Sequence, residues 1–79
     1  MFYPTSGAHG YYIDYMDQSP GDRYIAGLLN ISLVAYHKIL KKFNGCQVRR
    51  EYYFETFIDC KNACDYLEQV FGVMLKLTK

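Results

Sequence analysis

Cys46, Cys60, Cys64, His9 and His37 are the residues of this chain best suited to bind a metal or act as a nucleophile with its base. Cys60 and Cys64 stand one helical turn apart, on a stripe shared with Leu67 and Phe71. A structural zinc site takes four ligands, commonly as two close pairs. Only one close pair exists here, so the two thiols read as small core residues. Cys46 and His37 could in principle make a thiol nucleophile with its base, but no pattern supplies an orienting group or an oxyanion site, and His37 is expected in water beside Lys38. A glycine-rich phosphate loop is absent, and Ser19, Pro20, Gly21 and Asp22 read as a helix start, with a capping hydroxyl, a proline at the first helical position and a carboxylate three residues on. The sequence therefore assigns no catalytic residue, no metal and no cofactor.

Binding is better represented. The charges are segregated: residues 1–22 carry only Asp14, Asp17 and Asp22, and residues 23–50 carry only cations, namely Arg23, Lys38, Lys41, Lys42, Arg49 and Arg50. Lys38, Lys41 and Lys42 fall at helical spacing near a helix end, and Arg49 and Arg50 follow a turn, so the five can converge into an anion site. The plainer reading of the lysines is a solvated helix end that complements the helix dipole. Nucleic acid ranks below a protein partner, because Glu51 and Glu55 share the strand face of Arg49, Tyr53 and Phe57 and would repel phosphates.

Nine tyrosines and five phenylalanines exceed what one small core can bury, since each enclosed phenol needs a hydrogen-bond partner. Tyr3, Tyr11, Tyr12, Tyr15 and Tyr53 are expected at the surface, where tyrosine gives contact area at low entropic cost. Tyr24, Tyr36, Tyr52 and Tyr66 are expected to border the core. The partner-binding set is accordingly Tyr11, Tyr12, Tyr15, Arg49, Glu51, Tyr53, Glu55 and Phe57.

The elements that must position these residues follow from periodicity. Residues 1–10 are small, polar or turn-forming after two leading aromatics and read as a loose arm. Tyr11 to Met16 alternates as a strand. A helix from Pro20 to Phe43 is expected to stop at Asn44 and Gly45. At 1.5 Å per residue it would be about 36 Å long, so it must kink near Gly27 to Asn30 or project. Its apolar segment from Tyr24 to Tyr36 suggests self-association through Leu29, Leu33 and Tyr36. From Val48 to Ile58 the period is two, with Val48, Arg50, Tyr52, Phe54, Thr56 and Ile58 on the core side. Asp59 is expected to cap a second helix with the stripe Cys60, Ala63, Cys64, Leu67, Val70 and Phe71, ending at Gly72 before a closing strand over residues 73–78.

These elements predict an α+β fold of order β-α-β-α-β, with a three-stranded sheet covered on one face by two helices, in a single domain over residues 1–79. A chain that is 51% hydrophobic and 22% charged is globular rather than disordered. An odd cysteine count without a signal-peptide pattern points to a reducing, cytoplasmic compartment, and no run is long enough to span a membrane. At this size a recognition face is easier to build than a deep catalytic cleft. The expectation is a non-enzymatic protein-binding module, an inhibitor or adaptor that occludes a partner's surface, with a homodimer as a further form and nucleic-acid binding as the runner-up.

Overall fold

The computed structural model of the chain describes residues 1–16 and 21–77, with side chains through residue 72. Two antiparallel hairpins alternate with helices: β1 (Phe2–Gly7) and β2 (Gly10–Tyr15), α1 (Asp22–Leu28), α2 (Leu33–Lys42), β3 (Cys46–Val48) and β4 (Glu51–Tyr53), then α3 (Phe57–Leu77). The three-stranded sheet of order β-α-β-α-β is therefore replaced by two 2-stranded sheets in the order β-β-α-α-β-β-α.

The first departure is at the N-terminus. Residues 1–10, expected as a loose arm, supply strand β1, which pairs with β2 from Phe2↔Tyr15 to Gly7↔Gly10. Phe2 is buried and stacks on Tyr15 at 4.9 Å between ring centroids, and its N–H donates to Glu68 Oε1 of α3 at 2.7 Å. Packing against a helix 66 residues away orders a segment that local pattern leaves undetermined.

The long helix breaks in two. Asn30 adopts φ 58, and the N–H groups of Asn30 and Ile31 donate to Gly27 O and Ala26 O, a left-handed stop that closes α1. Ser32 then accepts from the Ala35 N–H at 3.1 Å and starts α2. The same device ends α2: Asn44 sits at φ 69, with Asn44 N–H donating to Lys41 O and Gly45 N–H to Leu40 O. The expected caps Ser19 and Pro20 lie outside the described residues.

The single strand over Val48 to Ile58 is a short hairpin instead. Arg49 takes φ 60 and turns the chain at Arg49–Arg50, with Gln47 Nε2 donating to Arg49 O at 2.9 Å. Thr56 caps α3 by accepting from Asp59 N–H at 3.2 Å, so helix starts at Phe57 and Ile58 is exposed. The helix runs on through Gly72 to Leu77, which replaces the expected closing strand over residues 73–77, and residue 78 lies outside the described residues. Glycine in a helix interior costs only about 1 kcal/mol, too little to end one whose neighbours favour it.

The core gathers Phe2 and Ile13 of the first hairpin, Ile25, Ala26 and Leu29 of α1 and its stop, Tyr36 and Leu40 of α2, Phe54, and the α3 stripe Cys60, Ala63, Cys64 and Leu67. Val70, expected on that stripe, is exposed. Leu29 and Tyr36, expected on a self-association face, have no exposed surface, and Leu33 is half-buried against the core. The break between α1 and α2 turns Ile25, Leu29 and Tyr36 into the core, while Tyr24 and Val34 of the same segment stay exposed.

A candidate recognition cleft between the hairpins

The two hairpins are joined by one bridge. Tyr11 N–H donates to Phe54 O at 2.8 Å, and Phe54 N–H donates to Tyr11 O at 2.7 Å. Gly10 makes this approach feasible, since its φ is 122 and a Cβ there would sit 2.5 Å from Phe54 O. With the bridge closed, the ring of Tyr12 meets the ring of Tyr53 edge to face at 6.1 Å, and His9 meets Tyr53 at 5.3 Å. Gly7 leaves room for this, as a Cβ on it would lie 3.1 Å from the Tyr12 ring.

Beside these rings opens a cleft of about 330 Å³, lined by Gly7, Ala8, Tyr12, Ile13, Gly21, Asp22, Glu51 and Tyr53. Its acidic wall is built at the start of α1. Asp22 N–H donates to Glu51 Oε2 at 3.3 Å, and Asp22 Oδ2 accepts from Tyr52 N–H at 3.0 Å. His37 Nε2 lies 2.9 Å from the same oxygen, which fixes the tautomer that carries hydrogen on Nε2 when the carboxylate is ionised. The imidazole is stacked on Tyr52 at 4.2 Å. Burial raises the Asp22 carboxyl to about 6, the hydrogen bond from His37 working against the rise and the Glu51 charge adding to it.

The sequence expected His37 in water and Asp22 in a helix cap. Both are enclosed, with side chains 14% and 11% exposed, and Asp22 ties α1 to α2 and to β4. Sequence separation hid the pair, which is brought together only when α2 folds back on α1. The Asp22–His37 pair, with the Tyr52 N–H on the same carboxylate oxygen, holds α1, α2 and β4 together. No three His, Cys, Asp or Glu side chains among the described residues stand where they could hold a metal ion.

Of the expected partner-binding residues, Tyr12, Glu51 and Tyr53 meet in the cleft. Tyr11 and Phe57 contact each other at 5.8 Å beside the bridge, and Phe57 and Glu55 are exposed. Tyr15 is set apart, packed on Phe2, and Arg49 stands at the hairpin turn. Of the expected anion set, Lys38, Lys41 and Lys42 are exposed on α2, and Arg49 and Arg50 are exposed at the β3–β4 turn, which Glu51 ties to the start of α1. No helix among the described residues is long and apolar enough to cross a membrane. No family model, curated protein or solved structure matches this chain.

Proposed function

We propose that this chain is a non-enzymatic protein-binding module whose recognition surface is the cleft between the two hairpins, and that it acts as an inhibitor or adaptor by occluding the partner surface it covers. The observation that carries this reading is the meeting of Tyr12 and Tyr53 at an open cleft, on strands fixed to one another by the Tyr11–Phe54 bridge. Aromatic rings held by backbone pairing give contact area with little entropy left to lose on binding. Cytoplasmic location belongs to the same reading and is supported by three free thiols, Cys46, Cys60 and Cys64.

The test is recovery of the bound macromolecule from native cells at two salt concentrations, with the wild-type chain, Tyr53→Ala and the triple variant of Lys38, Lys41 and Lys42 to Ala. The expected result is a protein partner lost with Tyr53→Ala and retained by the lysine variant, with modest salt sensitivity. Tight DNA or RNA binding that falls steeply with salt and disappears in the lysine variant would overturn the reading in favour of nucleic acid, for which affinity changes by a log-log slope of about −0.9 per phosphate neutralised.

A further inference from the structure

The cleft combines two features that select one kind of guest. Its rings, Tyr12 and Tyr53, carry negative potential on their faces, and its carboxylates, Asp22 and Glu51, line the same space. Among the described residues no Lys or Arg forms an ion pair with either carboxylate, although Arg49 and Arg50 precede Glu51 directly in the chain. His37 reaches Asp22 from the α2 side through Oδ2, the oxygen that also takes the Tyr52 N–H. The volume, about 330 Å³, is at the lower end of the roughly 300–1,000 Å³ of small-molecule sites, suited to one long side chain and too small for a helix.

We propose that the cleft takes an arginine side chain of the partner protein, its guanidinium placed between Asp22 and Glu51 and its face on the Tyr53 ring, against which Tyr12 stands edge to face. This rests on the protein-binding reading above and names the chemistry of that partner. Arginine is favoured over lysine because its planar fork can bond two carboxylates while its face stays on an aromatic ring, whereas an ammonium is a hydrated point charge. The arginine stem also covers Ile13 and Ala8, which line the cleft between the polar groups.

The probe is N-acetyl-arginine amide, titrated into the intact chain while backbone amide signals are followed by nuclear magnetic resonance, with N-acetyl-citrulline amide as the uncharged isostere and N-acetyl-leucine amide as the apolar control. The expected result is saturable shifts at Gly7, Tyr12, Gly21, Glu51 and Tyr53, at least about tenfold weaker binding of citrulline, and a loss of about tenfold for Glu51→Gln. Glu51→Gln keeps an acceptor for the Asp22 N–H, and Tyr53→Leu, which keeps bulk and removes the ring, should cost about fivefold. Equal binding of arginine and citrulline, an unchanged Glu51→Gln variant, or no arginine shifts up to roughly 50 mM, well above the millimolar range of weak ligands, would each overturn the proposal. Saturation of the same residues by the leucine amide without arginine binding sinks the cationic guest and leaves the cleft as the recognition surface. A cellular complex retained by Tyr53→Ala sinks the recognition surface itself.

Discussion

His37 Nε2 lies 2.9 Å from Asp22 Oδ2, a bond that spans the break between α1 and α2 and ties His37 to a carboxylate that lines an open cleft. Burial holds the Asp22 carboxyl at about 6, above its ordinary value of 3.8. The folded chain therefore keeps a proton on Asp22 over a range where the unfolded chain has released it. Stability from this group is present below about pH 4 and is lost as pH rises towards 6 and beyond. A full two-unit shift would be worth about 3 kcal/mol, and the water-facing side of the cleft reduces the expected size to about 1–2 kcal/mol. Urea unfolding from pH 4 to pH 7 should show this decline in the wild-type chain and a flatter profile in Asp22→Asn; parallel profiles would refute it.

Glycines 10 and 27 should respond in opposite directions to alanine. Gly10→Ala puts a methyl group 2.5 Å from Phe54 O at a φ of 122, so it must part the hairpins and should cost about 3 kcal/mol or more. Gly27 lies inside α1 with nothing among the described residues within 4 Å of an added Cβ, and Gly27→Ala should stabilise by about 0.5–1 kcal/mol. Melting temperatures of the two variants decide the matter.

Tyr36 is fully buried and its hydroxyl has no hydrogen-bond partner among the described residues, while burial first, and then the nearby Asp22, push that hydroxyl well above its usual range. Tyr36→Phe removes an unsatisfied group at almost constant shape and should be neutral or stabilising by about 1 kcal/mol. Leu29→Ala, by contrast, opens a cavity in the core and should cost about 2–5 kcal/mol. Denaturant midpoints measure both, and light scattering on Tyr36→Phe should match the wild type, because neither residue reaches the surface.

The capping hydroxyls give a smaller, local effect. Ser32→Ala and Thr56→Ala each leave a backbone N–H without its acceptor, at Ala35 and Asp59 respectively. Each should lower stability by about 1 kcal/mol, and the double variant should show the sum, since the sites start different helices. Equilibrium unfolding of the three variants tests this.

What could be read from the residues divides by range. The α3 stripe of Cys60, Ala63, Cys64 and Leu67 was legible because helical period and burial coincide there. Asn44 and Gly45 ended α2 as their types suggest. The turn at Arg49 was not legible, since its φ of 60 falls on an arginine where glycine or asparagine is the usual signal, and the period-two pattern runs unbroken across it. Strand β1 was hidden because its partners are Tyr15, by pairing, and Glu68, by a hydrogen bond from another element. In the cleft, Glu51 and Tyr53 stood out as neighbours on one strand face, whereas Tyr12, Asp22 and His37 join them only through tertiary folding.

The hydrogen bond from Phe2 to Glu68 also sets the order in which the molecule can be completed during synthesis. A lone two-stranded hairpin is marginal in water, so β1 and β2 emerge from the ribosome without the helix that covers Phe2 and Ile13. That helix follows the other six described elements in the chain. The nascent chain thus holds its first strands uncommitted until Glu68 has been made and α3 can cover them.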